Sequence, residues 1–281
     1  MCNKKASLKA QIDFYETFKE QYFKIIDDLH FDYKKDCKAR DILSSILKSK
    51  HEKREYDLNL ILKSFKINIH SKKNIFIYGC GPSLVPTVNY LIDNLGLDIF
   101  KNVINIAADG ASIFLGKKKI PIQAIFTDLD GITKKEFNNV DYMIIHGHGD
   151  NIDRLEYFKQ EIIEFCNIIG TTQVEPSENL INPGGFTDGD RILYFLQSLL
   201  SLNNKLFLIG MDFNNVVGRY SKLYFEKNQE GTPMKKRKLR IAVQLIEQIL
   251  PKIQNDIFFV NTNNISNEFK YLSLEEFIHK I

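Results

Sequence analysis

The chain has 281 residues, 44% of them hydrophobic and 26% charged, which is enough for a packed core in one large α/β domain or a smaller one with an appendage. Its net charge of +3 is too small to argue for a nucleic-acid partner. Cys2, Cys37, Cys80 and Cys166 are scattered without metal spacing, no run approaches the roughly 18 apolar residues of a membrane span, and the start is charged too often for a secretory signal, so a cytoplasmic chain without membrane contact is expected.

Residues 1–72 read as an N-terminal helical segment. There is no strand signal, and neither Gly nor Pro occurs through residue 70. Leu8, Ile12, Tyr15, Phe18, Tyr22, Ile25 and Leu29 recur at helical spacing. A second helix begins near Asp36 and carries Ile42, Leu43, Ile46 and Leu47, and a third runs from about Asp57 to Phe65. An aromatic stripe of this kind is a core face, so the segment is expected to pack as a lid or flank.

Residues 73–281 read as an α/β catalytic domain. Apolar runs at Ile75–Tyr78, Val103–Ala108, Ile122–Thr127, Tyr142–His146, Phe165–Gly170, Leu206–Gly210 and Ile257–Val260 predict strands. Helical patterns lie between them, at roughly Pro82–Leu95, Asp150–Ile163, Asp188–Leu202 and Lys236–Leu250. That alternation predicts a mainly parallel sheet with helices on both faces. Val216–Pro233 has weak periodicity and is expected to form a loop or a hairpin.

Several strands end in acid or glycine, and in an open α/β sheet ligands bind beyond those ends. Gly79-Cys80-Gly81-Pro82-Ser83-Leu84 follows the first strand. Its glycines suit a tight turn, and the helix N-terminus behind it offers N–H groups to a phosphate, although a plain strand-to-helix turn has the same composition. Asp109-Gly110 ends the second strand, as ligand or as helix cap. Asp128-Leu129-Asp130-Gly131 ends the third, with two carboxylates positioned to enter one crevice once the chain bends. Acids gathered at one edge repel unless a cation joins them, which points to Mg²⁺ serving a phosphate substrate.

His146-Gly147-His148-Gly149-Asp150-Asn151 ends the fourth strand. It resembles an H-x-H-x-D-H zinc signature, but Asn151 breaks it. The reading preferred here gives close approach to the glycines and delivers Asp150 to the acidic edge, with the histidines orienting neighbours or capping a helix. Thr171 and Gln173 end the fifth strand. The loop from Asn182 through Gly184, Gly185, Thr187, Asp188 and Asp190 has more turn and polar residues than a turn requires, so it is a candidate substrate pocket, with Asp188 alternatively a helix cap. Asp212 follows the next strand as a supporting acid. Lys235–Arg240 is either a solvated helix face or a source of cations for a triphosphate.

Taken in order, these motifs, from GCGPSL and AADGA through TDLDG, HGHGDN, GTTQ, NPGGFTDGDR and GMDF to the late KKRKL, resemble the archaeal 6-hydroxymethyl-7,8-dihydropterin pyrophosphokinases, the MptE-like family. The resemblance covers roughly Asn74–Leu250, and Asp36-Cys37-Lys38-Ala39-Arg40-Asp41 also resembles that family's N-terminal part. It implies a fold like the thiamin pyrophosphokinase catalytic domain and Mg²⁺-dependent transfer of pyrophosphate from ATP to a pterin hydroxymethyl group. It further implies that Asp109, Asp128, Asp130 and Asp150 hold the metal, that Gly79, Gly81, Pro82, Ser83, Asp109 and Gly110 meet the nucleotide, and that a homodimer forms. Thr171, Gln173, Asn182, Gly184, Gly185, Thr187 and Asp188 are the expected substrate residues. Three alternatives stay open at this point: a nucleotide-sugar glycosyltransferase of the flagellin-modifying type, suggested by Gly81-Pro82-Ser83-Leu84 and the D-x-D of Asp128 and Asp130; a haloacid-dehalogenase-type phosphatase; and a nucleotide-binding scaffold docking RNA.

Overall fold

The computed structural model describes residues 6–53 and 56–281. The chain opens with helices α1 (Leu8–Ile12), α2 (Tyr15–Leu29), α3 (Tyr33–Lys53) and α4 (Leu58–His70). The stripe expected over Leu8–Leu29 is therefore interrupted. The Asp13 carboxylate accepts the Tyr15 N–H at 3.2 Å, and the Phe14 N–H donates to the Asn182 carbonyl at 2.7 Å, so a tertiary contact outcompetes the helical one. α2 ends at His30, whose φ of 57° lets the Phe31 N–H bond back to the Ile26 carbonyl at 2.8 Å, a left-handed helix stop.

The strands are β1 (Asn74–Tyr78), β2 (Ile104–Ala108), β3 (Ile122–Thr127), β4 (Val140–Gly147), β5 (Ile168–Thr172), β6 (Leu180–Ile181), β7 (Lys205–Ile209), β8 (Val216–Val217), β9 (Gln229–Glu230), β10 (Asp256–Val260) and β11 (Lys270–Leu272). Nine of them form one sheet in the order β11-β10-β7-β1-β2-β3-β4-β5-β6, with every adjacent pair parallel. β8 and β9 pair antiparallel, which resolves Val216–Pro233 as a hairpin. The remaining helices are α5 (Leu84–Leu95), α6 (Ala111–Lys117), α7 (Ile152–Tyr157), α8 (Lys159–Glu164), α9 (Asp188–Leu196), α10 (Pro233–Ile249) and α11 (Leu274–Lys280).

Sequence patterning placed the long elements and missed the short ones. β6 and β11 have too few residues to show a period, and the single helix expected at Asp150–Ile163 breaks at Phe158, whose ring is buried against Phe137 at 5.8 Å. β5 begins at Ile168 rather than Phe165, because the Phe165 N–H still closes the last turn of α8 on the Glu161 carbonyl.

The central strands β1 and β2 are buried along nearly their whole length, as strands covered on both faces must be. From β1 the chain moves outward through β2 to β6, then returns to β1's other side as β7. The order thus reverses between β1 and β7, and a crevice opens there beyond the carboxyl ends.

The N-terminal helices share one continuous apolar core with the sheet. α3 lies against β4, β5, α7 and α8. Its close approach explains three glycines. A Cβ on Gly147 would come 3.3 Å from the Ala39 carbonyl oxygen, one on Gly149 2.6 Å from Lys35 Cβ, and one on Gly170 2.7 Å from Leu47, with Leu180 of β6 closer still. The glycines around His146 and His148 are therefore there to admit a helix and not a ligand.

Candidate active site

The turn after β2 carries Asp109 with φ 48°, and the turn after β3 carries Leu129 with φ 71°. Left-handed backbone is costly for residues with side chains, and such positions concentrate at functional sites. Here they aim three acids at one point. Asp109, Asp128 and Asp130 each offer an oxygen, and those atoms lie within 4.8 Å of one another. Asp109 Oδ1 accepts the Thr127 hydroxyl at 2.7 Å and the Gly131 N–H at 3.3 Å. A Cβ on Gly131 would fall 1.9 Å from Asp109 Oδ2, so the Asp-Gly pair is a packing requirement of the site.

The electrostatics follow from crowding. Burial, then the charges of Asp128, Asp188 and Asp130, push the Asp109 carboxyl well above the ordinary range, and burial with Asp128 raises Asp130. Burial works against an ionised Asp128 too, but His148 and Lys222 outweigh it and hold this carboxyl below its ordinary value. His148 Nδ1 accepts the Asp150 N–H at 3.3 Å, which leaves Nε2 as the donor to Asp128 Oδ2 at 3.3 Å. Lys222, on the loop between β8 and β9, bonds to the Asp130 carboxylate.

Asp150 is not brought to this group. It is exposed in a short 3₁₀ turn, Gly149–Asn151, and Asn151 turns inward instead, donating to the carbonyls of Asp128 and His146, both at 2.7 Å. Asp188 faces the crevice in its place. It pairs with Arg191 at 3.0 Å, and burial with the Asp128 charge raises its carboxyl to about 7. It is not the helix cap: Asp190 accepts the Phe186 and Thr187 N–H groups and the Thr187 hydroxyl.

The glycine turn after β1 is built differently from expectation. The Gly79 and Gly81 N–H groups donate to the carbonyls of Ile209 and Gly210, and the Ser83 N–H and hydroxyl both donate to Asp212 Oδ2 at 3.0 Å. A Cβ on Gly81 would meet Asp212 Oδ2 at 2.0 Å. Gly79 and Gly81 line the crevice, but their donors are satisfied from β7 and its following turn. Gly110 is held close to the β8–β9 loop, with the Tyr220 carbonyl oxygen 1.9 Å from where a Cβ would sit.

Of the expected substrate residues, Gln173, Thr187 and Asp188 line the crevice. Thr171 is buried behind it, its hydroxyl against His146 Nδ1 at 3.0 Å. Asn182 braces its own loop by accepting the Gly184 N–H at 3.0 Å and donating to Val174 at 3.1 Å, while Gly184 and Gly185 take φ 81° and 80° to turn it. Burial and nearby Arg191 keep His146 neutral. Among the described residues no histidine joins a metal-capable group. Lys235 and Lys238 of the basic run reach the crevice, whereas Lys236 pairs with Glu230 and Arg237 with Asp28.

Phe31, Asp36 and Lys222 were not identified from sequence. Asp36 is buried and accepts the Tyr22 hydroxyl at 2.6 Å, the Gln173 amide at 2.7 Å and the Gly149 N–H at 2.6 Å, so the helical segment fixes one wall of the crevice. Its presence within the quoted Asp36–Asp41 motif was the available signal.

Comparison with known proteins matches residues 45–218 to the family described as 6-hydroxymethylpterin diphosphokinase MptE-like. The chain is 32% identical over 235 residues to the 6-hydroxymethyl-7,8-dihydropterin pyrophosphokinase of Pyrococcus furiosus, covering 83% of this chain and 93% of that protein. It is 31% identical over 242 residues to the protein of the same name from Methanocaldococcus jannaschii, covering 83% and 94%. The relative from Methanothermobacter thermautotrophicus is 33% identical over 230 residues, covering 80% and 90%. Among solved structures, the MAf glycosyltransferase from Magnetospirillum magneticum AMB-1 aligns with a TM-score of 0.40 and 15% identity, covering 73% of this chain and 34% of that one. A likeness that loose bears on neither mechanism nor substrate.

Proposed function

The chain belongs to the MptE-like 6-hydroxymethylpterin diphosphokinase family, and from that premise we propose that it transfers pyrophosphate from ATP to the hydroxymethyl group of 6-hydroxymethyl-7,8-dihydropterin. The observation that carries this reading is the convergence of Asp109, Asp128 and Asp130 at adjacent strand ends beside the crevice. An all-carboxylate set crowded enough to raise Asp109 and Asp130 suits a hard divalent cation, and Mg²⁺ is the one that accompanies phosphate substrates. When bound there, Mg²⁺ would withdraw charge from the phosphate oxygens of ATP.

In the reaction the pterin hydroxymethyl oxygen attacks the β-phosphorus, giving up its proton to solvent, the bond from that phosphorus to the oxygen bridging to the α-phosphorus breaks, and AMP departs. Such transfers depend on positioning and charge stabilisation more than on covalent help. His148 orients Asp128, and Lys235 supplies positive charge along the crevice wall facing the triphosphate. Cys80 also lines the crevice, but burial keeps its thiol protonated, and it donates to the Ala108 carbonyl at 3.4 Å, so it is no nucleophile.

Incubation with ATP, Mg²⁺ and reduced hydroxymethylpterin tests the proposal, with AMP and pterin pyrophosphate quantified together. Equimolar formation of both is expected. Release of inorganic phosphate without pterin pyrophosphate, or turnover only with a sugar nucleotide, would sink it.

A further inference from the structure

The crevice has an aromatic end. The Phe31 and Phe186 rings face each other with centroids 6.3 Å apart and planes 30° apart, and both line the crevice. Lys238 Nζ lies 4.9 Å from the Phe31 centroid and 5.9 Å from that of Phe186. Neither ring is loosely held. Phe31 follows the left-handed stop of α2, and the Phe186 backbone is clamped by Asp190 on its N–H at 2.6 Å and by Arg191 on its carbonyl at 2.9 Å.

Gln173 completes this end, and its amide orientation is set. Nε2 donates to Asp36 Oδ2 at 2.7 Å, so Oε1 points the other way. Oε1 lies 3.5 Å from His146 Nε2, at the outer limit of a hydrogen bond. An amide oxygen has two lone pairs, so this nearly buried group on the crevice wall keeps acceptor capacity for a ligand N–H.

Resting on the proposed pyrophosphokinase reading, we infer that Phe31, Phe186, Gln173 and Lys238 form the subsite for the pterin ring, and that the adenine of ATP lies elsewhere along the crevice. The ring stacks on the phenylalanine faces, an N–H of its pyrimidine edge donates to Gln173 Oε1, and Lys238 donates to its ring oxygen or nitrogen acceptors. Reach separates the two heterocycles. The pterin's reacting oxygen is one carbon from its ring, whereas ribose and the α-phosphate separate adenine from the β-phosphorus. This end is close to the acids: Phe186 is two residues before Asp188, which shares the crevice with Asp128, and Gln173 touches His146, whose ring is 5.9 Å from that of His148 on Asp128. Phe31 and Lys238 both lie outside the matched family segment 45–218.

The chain has no tryptophan, so the fluorescence of 6-hydroxymethylpterin can be titrated with protein without tryptophan emission. Wild type, Phe31→Leu and Gln173→Met are compared, with ATP affinity measured in parallel by equilibrium dialysis. Phe31 is only partly buried, so its replacement leaves the core intact. Each variant is expected to weaken pterin binding at least about fivefold, the scale of one stacking or hydrogen-bond contact, and to keep ATP affinity within about twofold. Unchanged pterin affinity in either variant, or an equal loss for ATP, overturns the subsite. A wild type that binds ATP but no pterin overturns the functional reading itself.

Discussion

Asp212 Oδ2 accepts both the backbone N–H and the hydroxyl of Ser83, each at 3.0 Å. The carboxylate sits at the start of α5, the place where a helix terminus holds a phosphate, and it anchors the N-cap residue Ser83 there. Asp212→Ala should therefore cost about 1–2 kcal/mol of folding stability in urea unfolding. It should also raise KM for ATP more than it lowers kcat, because it frees a crevice wall and no reacting group. A variant as stable as the parent would show that Ser83 needs no anchor.

Asp128→Asn and Asp130→Asn should each lower turnover by at least about a hundredfold, the scale of losing a metal's charge stabilisation. A second measurement does not depend on turnover. Mg²⁺ should raise the thermal midpoint of the wild type, because a ligand that binds only the folded state stabilises it, and it should raise that of each variant far less. Near-normal turnover in both variants would remove these acids from the mechanism.

The metal-free protein should lose stability as pH rises toward neutrality. Asp188 has its folded carboxyl raised from 3.8 to about 7, and Asp109 is raised in the same direction. Between the unfolded and folded values the native state holds a proton that the unfolded state has released, so the slope of unfolding free energy with pH is negative there and flattens above about 7. Urea unfolding at a series of pH values, with and without Asp188→Asn, reads this directly. The substitution should flatten the slope and stabilise the metal-free protein at pH above 7. Parallel curves for the two proteins would contradict the assignment.

Lys222 carries an ammonium group into the acidic cluster through Asp130. A bound cation must compete with it. Lys222→Met should therefore tighten Mn²⁺ binding to the substrate-free protein, measured by calorimetry, while slowing turnover because the lysine is no longer there to meet phosphate. Unchanged or weaker Mn²⁺ binding would mean that the lysine serves only to hold its loop.

How much was legible in the sequence differs by kind of interaction. Asp109, Asp128 and Asp130 could be read because each ends an apolar run, and strand ends share an edge by topology. Asp150 met the same criterion and still faces solvent, because after β4 a 3₁₀ turn, capped by the backbone and side chain of His148, turns Asn151 inward. The space beside Gly81 and Gly147 is taken by Asp212 and by α3, which lie far away along the chain and leave no local mark at either glycine. Phe31 and Lys222 carry no local mark; they matter only through contacts with Phe186 and Asp130. Local pattern gave the edge, and long-range packing chose which side chains fill it.

The Asp36–Gln173 bond spans 137 residues of chain. Ribosomes extend a chain at about 5–20 residues per second, so α3 waits roughly ten seconds after emerging before β5 exists to receive it. During that interval Leu43, Ile46 and Leu47 have no sheet to cover, although all three end up buried. The nascent helices therefore pass through a stage when their apolar side is open to other chains or to chaperones. Variants that destabilise Asp36 should show first as poor yield from cells, before any defect is seen in the purified protein.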